Sequence, residues 1–224
     1  MQNDLQLLNT VLENATYTLD NFYTTTVQEK QELLSRIHKN VQCVVIVSEV
    51  GMGGTHLLAG IYKDLKEEAA SIDYEKLLNK HKKEGITSLN LQGYKYLFLD
   101  DWHAFYNRCE AYLSLVEYIE NEIEQFVCNG GKVFMKINPL ETTDMLETYI
   151  MFFSTHKIKL DKVELPILKK MLEGMFQQIC VKLTKKIEDQ LLGAEYSSYR
   201  HFQNSCIVWM ASHKVERIEN KNLD

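Results

Sequence analysis

The residues best suited to chemistry form a glycine-rich run, SEVGMGGT, between Ser48 and Thr55. Its three glycines let successive backbone N–H groups point toward one anion, and the threonine hydroxyl that follows them suits Mg²⁺. A helix that begins at the end of such a run adds the positive end of its dipole. The run therefore predicts a phosphate-binding loop, although a plain strand-to-helix turn could have the same composition. The candidate binding residues are Ser48, Val50, Gly51, Met52, Gly53, Gly54, Thr55 and His56.

The run departs at two positions from the phosphate-binding pattern G-x-x-x-x-G-K-[ST]. Ser48 replaces the first glycine, and Gly54 replaces the lysine. A charge-assisted hydrogen bond contributes ~1.5–3 kcal/mol, so loss of the lysine predicts ~10- to 100-fold weaker phosphate binding. Hydrolysis should suffer more, because it depends on stabilising the charge of the transferred phosphoryl group. We expect weak binding of ADP or ATP with Mg²⁺, and at most a very weak ATPase activity.

A pair of carboxylates follows a second apolar run. Leu97, Phe98 and Leu99 precede Asp100 and Asp101. In proteins with a phosphate-binding loop, the first acid at such a strand end binds Mg²⁺ through water, and the second can orient an attacking water. We therefore place Asp100 with Thr55 at a magnesium site and give Asp101 a catalytic role. The alternative is a strand end whose carboxylates only face solvent.

Hydrophobic patterns predict alternating strands and helices through the first two thirds of the chain. The continuous apolar run 43–47 is typical of a strand buried on both faces, and a helical pattern follows the glycines. Further strands are predicted at 70–74, 96–99, 132–137 and 157–160, and further helices at 28–38, 75–83 and 107–127. After Pro166 only helices are predicted, over 167–192, with a break possible at Gly174, and over 198–213.

This order of elements predicts an α/β fold: a parallel sheet flanked by helices, with a small C-terminal helical lid. We assign residues 1–20 to an N-terminal arm, 21–163 to the α/β core, 164–216 to the lid and 217–224 to a tail. Ligands bind such sheets at the carboxyl ends of the strands, where the glycine run and the paired acids both lie.

Composition restricts the protein class. The 224 residues are 45% hydrophobic and carry a net charge of −6, and basic residues alternate with acidic ones. We therefore expect no strong direct binding to duplex DNA, which needs a basic face. Apolar runs are too short to span a membrane, and no signal peptide is evident. Five scattered cysteines without a C-x-x-C pair favour a reducing, cytoplasmic location.

Three segments resemble the DnaA-related AAA+ family. Residues 48–58 (SEVGMGGTHLL) resemble the DnaA loop G-x-x-G-x-G-K-T-H-L-L, and they are closer still to the loop of the Hda group, regulatory inactivators of DnaA that have also lost the glycine and the lysine. Residues 97–105 (LFLDDWHAF) resemble L-L-I-D-D-I-Q-F-L, and residues 18–22 (TLDNF) resemble T-F-D-N-F. The resemblance implies an AAA+ nucleotide-binding core with a lid over roughly residues 17–212.

The resemblance also implies roles for single residues. Asn138 falls near the family's sensor-1 position at a strand end, and Arg200 falls at its sensor-2 position; a solvated helix arginine is the alternative for the latter. The family's arginine finger would lie near residues 153–156 (FSTH), where no arginine is present. Lys157 would replace it poorly, because an ammonium lacks the planar fork of a guanidinium.

The N-terminal arm carries a candidate partner-binding peptide. Hda-like proteins have a clamp-binding motif Q-L-x-L-[FLP] ahead of the core, and Asp4, Leu5, Leu7 and Leu8 reproduce its leucine spacing with Asp4 in place of glutamine. Short peptides with such apolar anchors dock into pockets on partner proteins. The alternative is an amphipathic leader that packs on its own domain.

We therefore interpret the chain as a regulatory AAA+ protein of DNA replication initiation, acting through contacts with the DnaA initiator and the DNA polymerase sliding clamp. On this interpretation no helix-turn-helix domain follows the lid, and no membrane partner is expected. Two alternatives remain open: a helicase loader or nucleotide-free AAA+ adaptor, and an active ATPase. Self-association into a homo-oligomer also remains open.

Overall fold

The computed structural model describes residues 12, 16–24, 26–85, 88–109, 112–179 and 181–213. Five strands form one parallel sheet in the order β2-β3-β4-β1-β5. The strands are β1 (Cys43–Ser48), β2 (Ala69–Ile72), β3 (Tyr96–Leu99), β4 (Lys132–Ile137) and β5 (Thr155–Leu160). Because every paired strand is parallel to its neighbour, each connection between strands crosses a face of the sheet, and helices cover both faces.

The helices of the described residues alternate with the strands and then follow them. They are α1 (Val27–Ile37), α2 (Gly54–Asp64), α3 (Tyr74–Glu84), α4 (Trp102–Arg108), α5 (Leu113–Cys128), α6 (Asp144–Met151), α7 (Leu165–Gln178), α8 (Lys185–Leu192) and α9 (Tyr199–Ser212). None of these described helices is long and apolar enough to cross a membrane.

Each face of the sheet has its own apolar core. Cys43 and Val45 of β1 pack in a cluster with residues of α3 to α6, while Val44 and Ile46 pack with α2. This alternation follows from the two-residue period of a strand. The stacked rings of Phe98 and Phe134, whose centroids are 4.8 Å apart, lie in the cluster on the α2 face. The central strands are therefore buried on both faces, as their continuous apolar sequences predict.

The register of the sheet brings three strand ends to one edge. Ile46 of β1 is level with Lys136 of β4, and Leu99 of β3 is level with Met135 of β4. Ser48, the last residue of β1, and Asp100, which follows β3, therefore lie at the same edge. The glycine loop and the paired acids meet at this edge.

The chain divides into two compact units. The α/β unit comprises residues 33–161 with the described residues up to Phe22, and the helical unit comprises Tyr23–Glu32 with the described residues from Lys162 onward. The expected core began at residue 21, whereas residues 23–32 group with the helices. Two contacts account for this: Lys170 Nζ donates to the Thr24 carbonyl at 2.6 Å, and the Tyr23 hydroxyl packs on Gly174.

Two predicted helices differ from the observed ones. The helix predicted over 107–127 is confirmed from Leu113 onward, but its start is wrong. The helix α4 ends at Arg108 and α5 starts at Leu113, with a turn in which the Tyr112 amide donates to the Cys109 carbonyl at 2.7 Å. Both helices bury apolar side chains in one cluster, which a single straight helix could not do. The possible break at Gly174 does not occur, since Gly174 lies within α7. The segment predicted as helix over 167–192 is instead divided between α7, which ends at Gln178, and α8, which begins at Lys185.

Gly60, inside α2, allows the segment before α1 to pack closely on that helix. A Cβ at this position would lie 2.9 Å from the Leu19 backbone nitrogen. We expect Gly60→Ala to lower the free energy of unfolding by roughly 1–3 kcal/mol, despite alanine's better helix propensity, because main chain must move. Gly174→Ala is the matched control, since a Cβ there meets only the movable hydroxyl end of Tyr23. Urea unfolding would measure both, and equal stability of the two variants would contradict the packing argument.

Candidate functional site

The glycine run forms the connection between β1 and α2. Gly51 and Gly53 have φ angles of 83° and 91°, in the left-handed region that L side chains rarely adopt. The Met52 amide donates to the Glu49 carbonyl at 3.2 Å and closes a tight turn within the run. The backbone therefore needs glycine at two of the three positions where the sequence supplies it.

The start of α2 presents backbone donors that bond to no acceptor in the described part of the chain. Gly53 precedes the helix and provides no side-chain cap. Among the described residues no acceptor is bonded to the amides of Gly53, Gly54 or Thr55. A helix start leaves such N–H groups for a ligand or water, and they carry the positive end of the helix dipole. The loop therefore fits an anion such as a nucleotide phosphate.

Gly54, which takes the place of the usual lysine, has no room for a side chain. A Cβ built at Gly54 would lie 2.6 Å from Ser48 Cβ, 2.7 Å from Ser48 Oγ and 3.2 Å from Lys136 Cγ. The Ser48 hydroxyl is buried and donates to the Glu49 carbonyl at 3.1 Å. The two departures from the phosphate-binding pattern are thus one structural change, because a side chain at position 48 excludes one at position 54.

Thr55 and Asp100 lie together, as expected for a magnesium site. The Thr55 hydroxyl donates to Asp100 Oδ1 at 3.2 Å, and the same oxygen accepts from the Asp101 amide at 3.1 Å. No group of three or more His, Cys, Asp or Glu side chains that could hold a metal occurs in the described residues. Two protein oxygens beside a phosphate loop fit Mg²⁺, which keeps several waters and takes further oxygens from phosphates.

The carboxyl group of Asp100 is difficult to ionise. Burial and the neighbouring charge of Asp101 raise the pKa of Asp100 to about 6. The Lys136 ammonium and the hydrogen bond from Thr55 oppose this shift. A bound divalent cation would favour the charged form, so cation binding at this site would release a proton near or below pH 6.

Asp101 is held by a lysine that sequence analysis did not select. Lys136 is almost fully buried, and its ammonium forms an ion pair with Asp101 Oδ1, whose side chain is 45% exposed. Asp101 has a left-handed backbone, with φ 49° and ψ 37°. An attacking water would therefore have to compete with the Lys136 ammonium for the Asp101 carboxylate. The available signal was a lysine between apolar residues near the end of the strand KVFMKI, which could show that the residue is unusual but not which group it contacts.

Asn138, the expected sensor residue, lies buried just after β4 and bonds within its own turn. Its Nδ2 donates to Glu141 Oε1 at 2.6 Å, and its Oδ1 accepts from the Leu140 amide at 3.2 Å. The Asn138 amide donates to Nδ1 of His103 at 3.2 Å. Burial is the main cause that lowers the pKa of His103. The polar ends of Asn138 are therefore engaged with neighbouring protein groups.

His56 connects α2 to the segment before α1. Its ring stacks on Tyr17 at 5.0 Å between centroids and meets Phe22 edge-on at 5.5 Å. Its Nε2 lies 2.7 Å from Asn21 Oδ1 and 3.1 Å from the Thr18 carbonyl oxygen. The residues that resemble the family's T-F-D-N-F segment therefore pack on the helix of the glycine loop, and the His56 ring serves this contact.

The remaining predicted site residues lie in several places. Val50 is 60% exposed and Met52 is buried, although both belong to the same loop. Arg200 lies exposed in the first turn of α9, in the helical unit. That turn is fixed by the Tyr199 hydroxyl, which donates to the Lys162 carbonyl at 2.9 Å. Asp4, Leu5, Leu7 and Leu8 lie outside the described residues, as does the tail 217–224.

The two adjacent aspartates should respond in opposite directions to replacement by asparagine. Asp100 binds its proton more tightly when folded than the ordinary pKa of 3.8 implies, so its ionisation opposes folding above about pH 6. At pH 8 without Mg²⁺ we expect Asp100→Asn to raise the free energy of unfolding, on the order of 1 kcal/mol, with the gain lost near pH 4.

Asp101→Asn is the matched control for that measurement. It leaves the buried Lys136 ammonium unpaired, so we expect a loss of roughly 1–3 kcal/mol at pH 8. Asparagine tolerates the left-handed backbone, so the change is mainly electrostatic. Urea unfolding at several pH values measures both variants, and destabilisation by Asp100→Asn at pH 8 would refute the assigned burial cost.

Comparison with known proteins finds similarity at the level of structure. No protein-family model and no curated protein sequence matches the chain. Domain III of Thermotoga maritima DnaA has a TM-score of 0.67 at 18% identity, covering 94% of this chain and 93% of that one. AMPPCP-bound DnaA from Aquifex aeolicus has a TM-score of 0.66 at 16% identity, covering 88% and 66%. The Thermotoga maritima RuvB branch migration motor has a TM-score of 0.56 at 16% identity, covering 93% and 70%.

The chain spans 64% and 66% of the length of two longer initiator structures that it matches, a DNA replication initiation factor and the Aquifex aeolicus DnaA. Its five-stranded parallel sheet, its glycine loop between β1 and α2, and the acids after β3 occur in the arrangement that the sequence predicted. This chain has the fold of the DnaA structures that it matches, a parallel five-stranded sheet flanked by helices with a glycine loop after the first strand.

Proposed function

We propose that this protein is a nucleotide-binding regulatory AAA+ module of DNA replication initiation that holds ADP or ATP mainly through main-chain amides. The observation that carries the proposal is the set of unbonded amides at Gly53, Gly54 and Thr55, next to the Thr55–Asp100 pair. Donors at a helix start bind phosphate, and the two oxygens complete a place for Mg²⁺. The AMPPCP-bound state of a DnaA with this fold supports the nucleotide class.

Within this proposal hydrolysis is very slow. Position 54 carries no lysine, and Asp101, the residue available to orient water, is engaged with Lys136. The segment 153–156 supplies no arginine, so a neighbouring copy would lack the usual transition-state cation. The bound nucleotide would act as a structural ligand, and the protein would work through its contacts with other proteins.

The proposed partners are the DnaA initiator and the polymerase sliding clamp. The DnaA-type fold supports the first, because AAA+ domains of one fold can pack on one another, and the Hda-like loop supports a regulatory role. The leucines at 5, 7 and 8 support the second. The negative net charge of −6 supports the absence of strong direct DNA binding, which stays a prediction. A cytoplasmic location also stays a prediction.

A nucleotide-free adaptor is the second candidate, and one observation favours it. The Lys136 ammonium is already neutralised by Asp101 without any phosphate. A site balanced in this way could keep the fold stable with no ligand, and the protein would then serve as a scaffold or as a helicase loader.

Thermal or urea unfolding with ADP distinguishes the two candidates. A ligand that binds the folded chain adds RT ln(1 + [L]/Kd), about 4 kcal/mol when its concentration is about 1,000 times Kd. We expect stabilisation by millimolar ADP that increases with Mg²⁺. Thr55→Val should remove the increase due to Mg²⁺, whereas Thr148→Val, which loses a hydroxyl bonded within α6, should keep it. No stabilisation of the wild type would favour the adaptor.

Partner capture tests the regulatory role directly. We expect the immobilised chain of 224 residues to retain both purified DnaA and purified sliding clamp. A double substitution, Leu7→Ala with Leu8→Ala, should reduce clamp retention at least tenfold and leave DnaA retention unchanged, because each apolar anchor contributes roughly 1–3 kcal/mol. Retention of neither partner would overturn this role, while equal clamp retention by the double variant would remove only the peptide assignment.

A further inference from the structure

Lys136 has an unusual position for a lysine. It lies in the central strand β4, level with Ile46 of β1, and only 5% of the residue is exposed. The alternation of β4 places it on the same face as Phe134, the face that α2 covers. A buried ammonium costs several kcal/mol unless a partner offsets the lost hydration. A lysine kept at such a position therefore needs an anionic partner.

The stem of Lys136 passes beside the site of the missing loop lysine. Its Cγ lies 3.2 Å from the Cβ that a side chain at Gly54 would have. Position 54 is where phosphate-binding loops carry their lysine. Ser48 and the Lys136 stem together fill the space next to Gly54. Glycine at position 54 therefore carries no ammonium of its own and leaves room for the Lys136 side chain.

The ammonium of Lys136 lies among the groups that define the phosphate site. It pairs with Asp101, and its charge lowers the pKa of Asp100, whose Oδ1 accepts from Thr55. Thr55 carries one of the unbonded amides at the start of α2. A cation, a magnesium-binding pair and a set of free amides thus occur together at one end of the loop.

We infer that Lys136 replaces the missing lysine of the phosphate loop and binds the terminal phosphate of a nucleoside diphosphate. Its side chain comes from strand β4, whereas the usual lysine belongs to the loop itself. In the absence of nucleotide, Asp101 is its counter-ion. When phosphate arrives, the ammonium exchanges Asp101 for a phosphate oxygen, and the 45% exposed carboxylate of Asp101 turns to solvent. This inference rests on the proposed nucleotide binding and names the side chain that completes that site.

The exchange predicts how two single substitutions differ. Lys136→Met keeps the stem and removes the charge, so we expect ADP to bind ~10- to 100-fold more weakly than to the wild type. Asp101→Asn removes the competing anion, so we expect ADP to bind more tightly than to the wild type. At pH 8, where Asp100 is ionised with or without its neighbour's charge, the double variant Lys136→Met with Asp101→Asn should bind like Lys136→Met alone, because Asp101 then affects ADP mainly through the ammonium.

Calorimetric titration of the full chain with ADP and Mg²⁺ measures all four proteins, and circular dichroism checks that each is folded. If the wild type binds ADP and Lys136→Met binds it equally well, this inference is overturned while nucleotide binding stands. If the wild type binds no ADP, both are overturned. The exchange is supported if Asp101→Asn binds ADP more tightly than the wild type but the double variant binds no more tightly than Lys136→Met. It is overturned if Asp101→Asn increases the affinity of Lys136→Met as much as that of the wild type.

A transplant of the lysine provides the second test, should Lys136→Met fold poorly. Ser48→Gly removes the atoms that block position 54, Gly54→Lys restores the loop lysine, and Lys136→Ala removes the substitute together with its Cγ. We expect this triple variant to recover most of the ADP affinity of the wild type. The control, Ser48→Gly with Lys136→Ala, should bind ADP weakly, and equal affinity of the control and the triple variant would overturn the inference.

Discussion

Only one side chain fits between the end of β1 and the first turn of α2, and this steric limit determines the chemistry of the site. Ser48 takes the space, so position 54 must be glycine. The positive charge that a phosphate loop usually carries at position 54 cannot be there. A buried lysine of β4 lies beside this position: the Lys136 stem is 3.2 Å from the Cβ that a side chain at 54 would have, and its ammonium pairs with Asp101. In the proposed site this ammonium does the work of the absent loop lysine.

Much of the fold could be predicted because its central strands have continuous apolar sequences. The strands at 43–48, 96–99 and 132–137 and the helix after the glycines lie within a residue or so of their predicted bounds. The errors occur where tertiary packing outweighs the local pattern. The helix predicted over 107–127 begins only at Leu113, after a separate helix that ends at Arg108, and both bury side chains in one core. Gly174 lies within α7, where the absence of a Cβ leaves room for the Tyr23 hydroxyl.

The sequence could predict those parts of the candidate site that depend on backbone conformation and on residues next to one another in the chain. The glycine loop and the Thr55–Asp100 pair could be inferred because parallel strand ends meet at one edge. The role of Lys136 could not be inferred, because its contact with Asp101 depends on the register between β3 and β4, which no local sequence pattern encodes. The coupling between positions 48 and 54 was equally hidden, because two departures from a motif give no sign that they occupy the same space.

The bonds made by Asn138 have a consequence for what the protein can distinguish. Both ends of its side-chain amide are used within the turn after β4, by Glu141 and by the Leu140 amide. A polar group at this strand end could otherwise sense whether a third phosphate is present. In the proposed site these bonds leave Asn138 only its second Nδ2 hydrogen for a third phosphate, so a triphosphate would gain little over a diphosphate at this position. Such a protein would respond to the arrival of a nucleotide more than to whether that nucleotide is ADP or ATP.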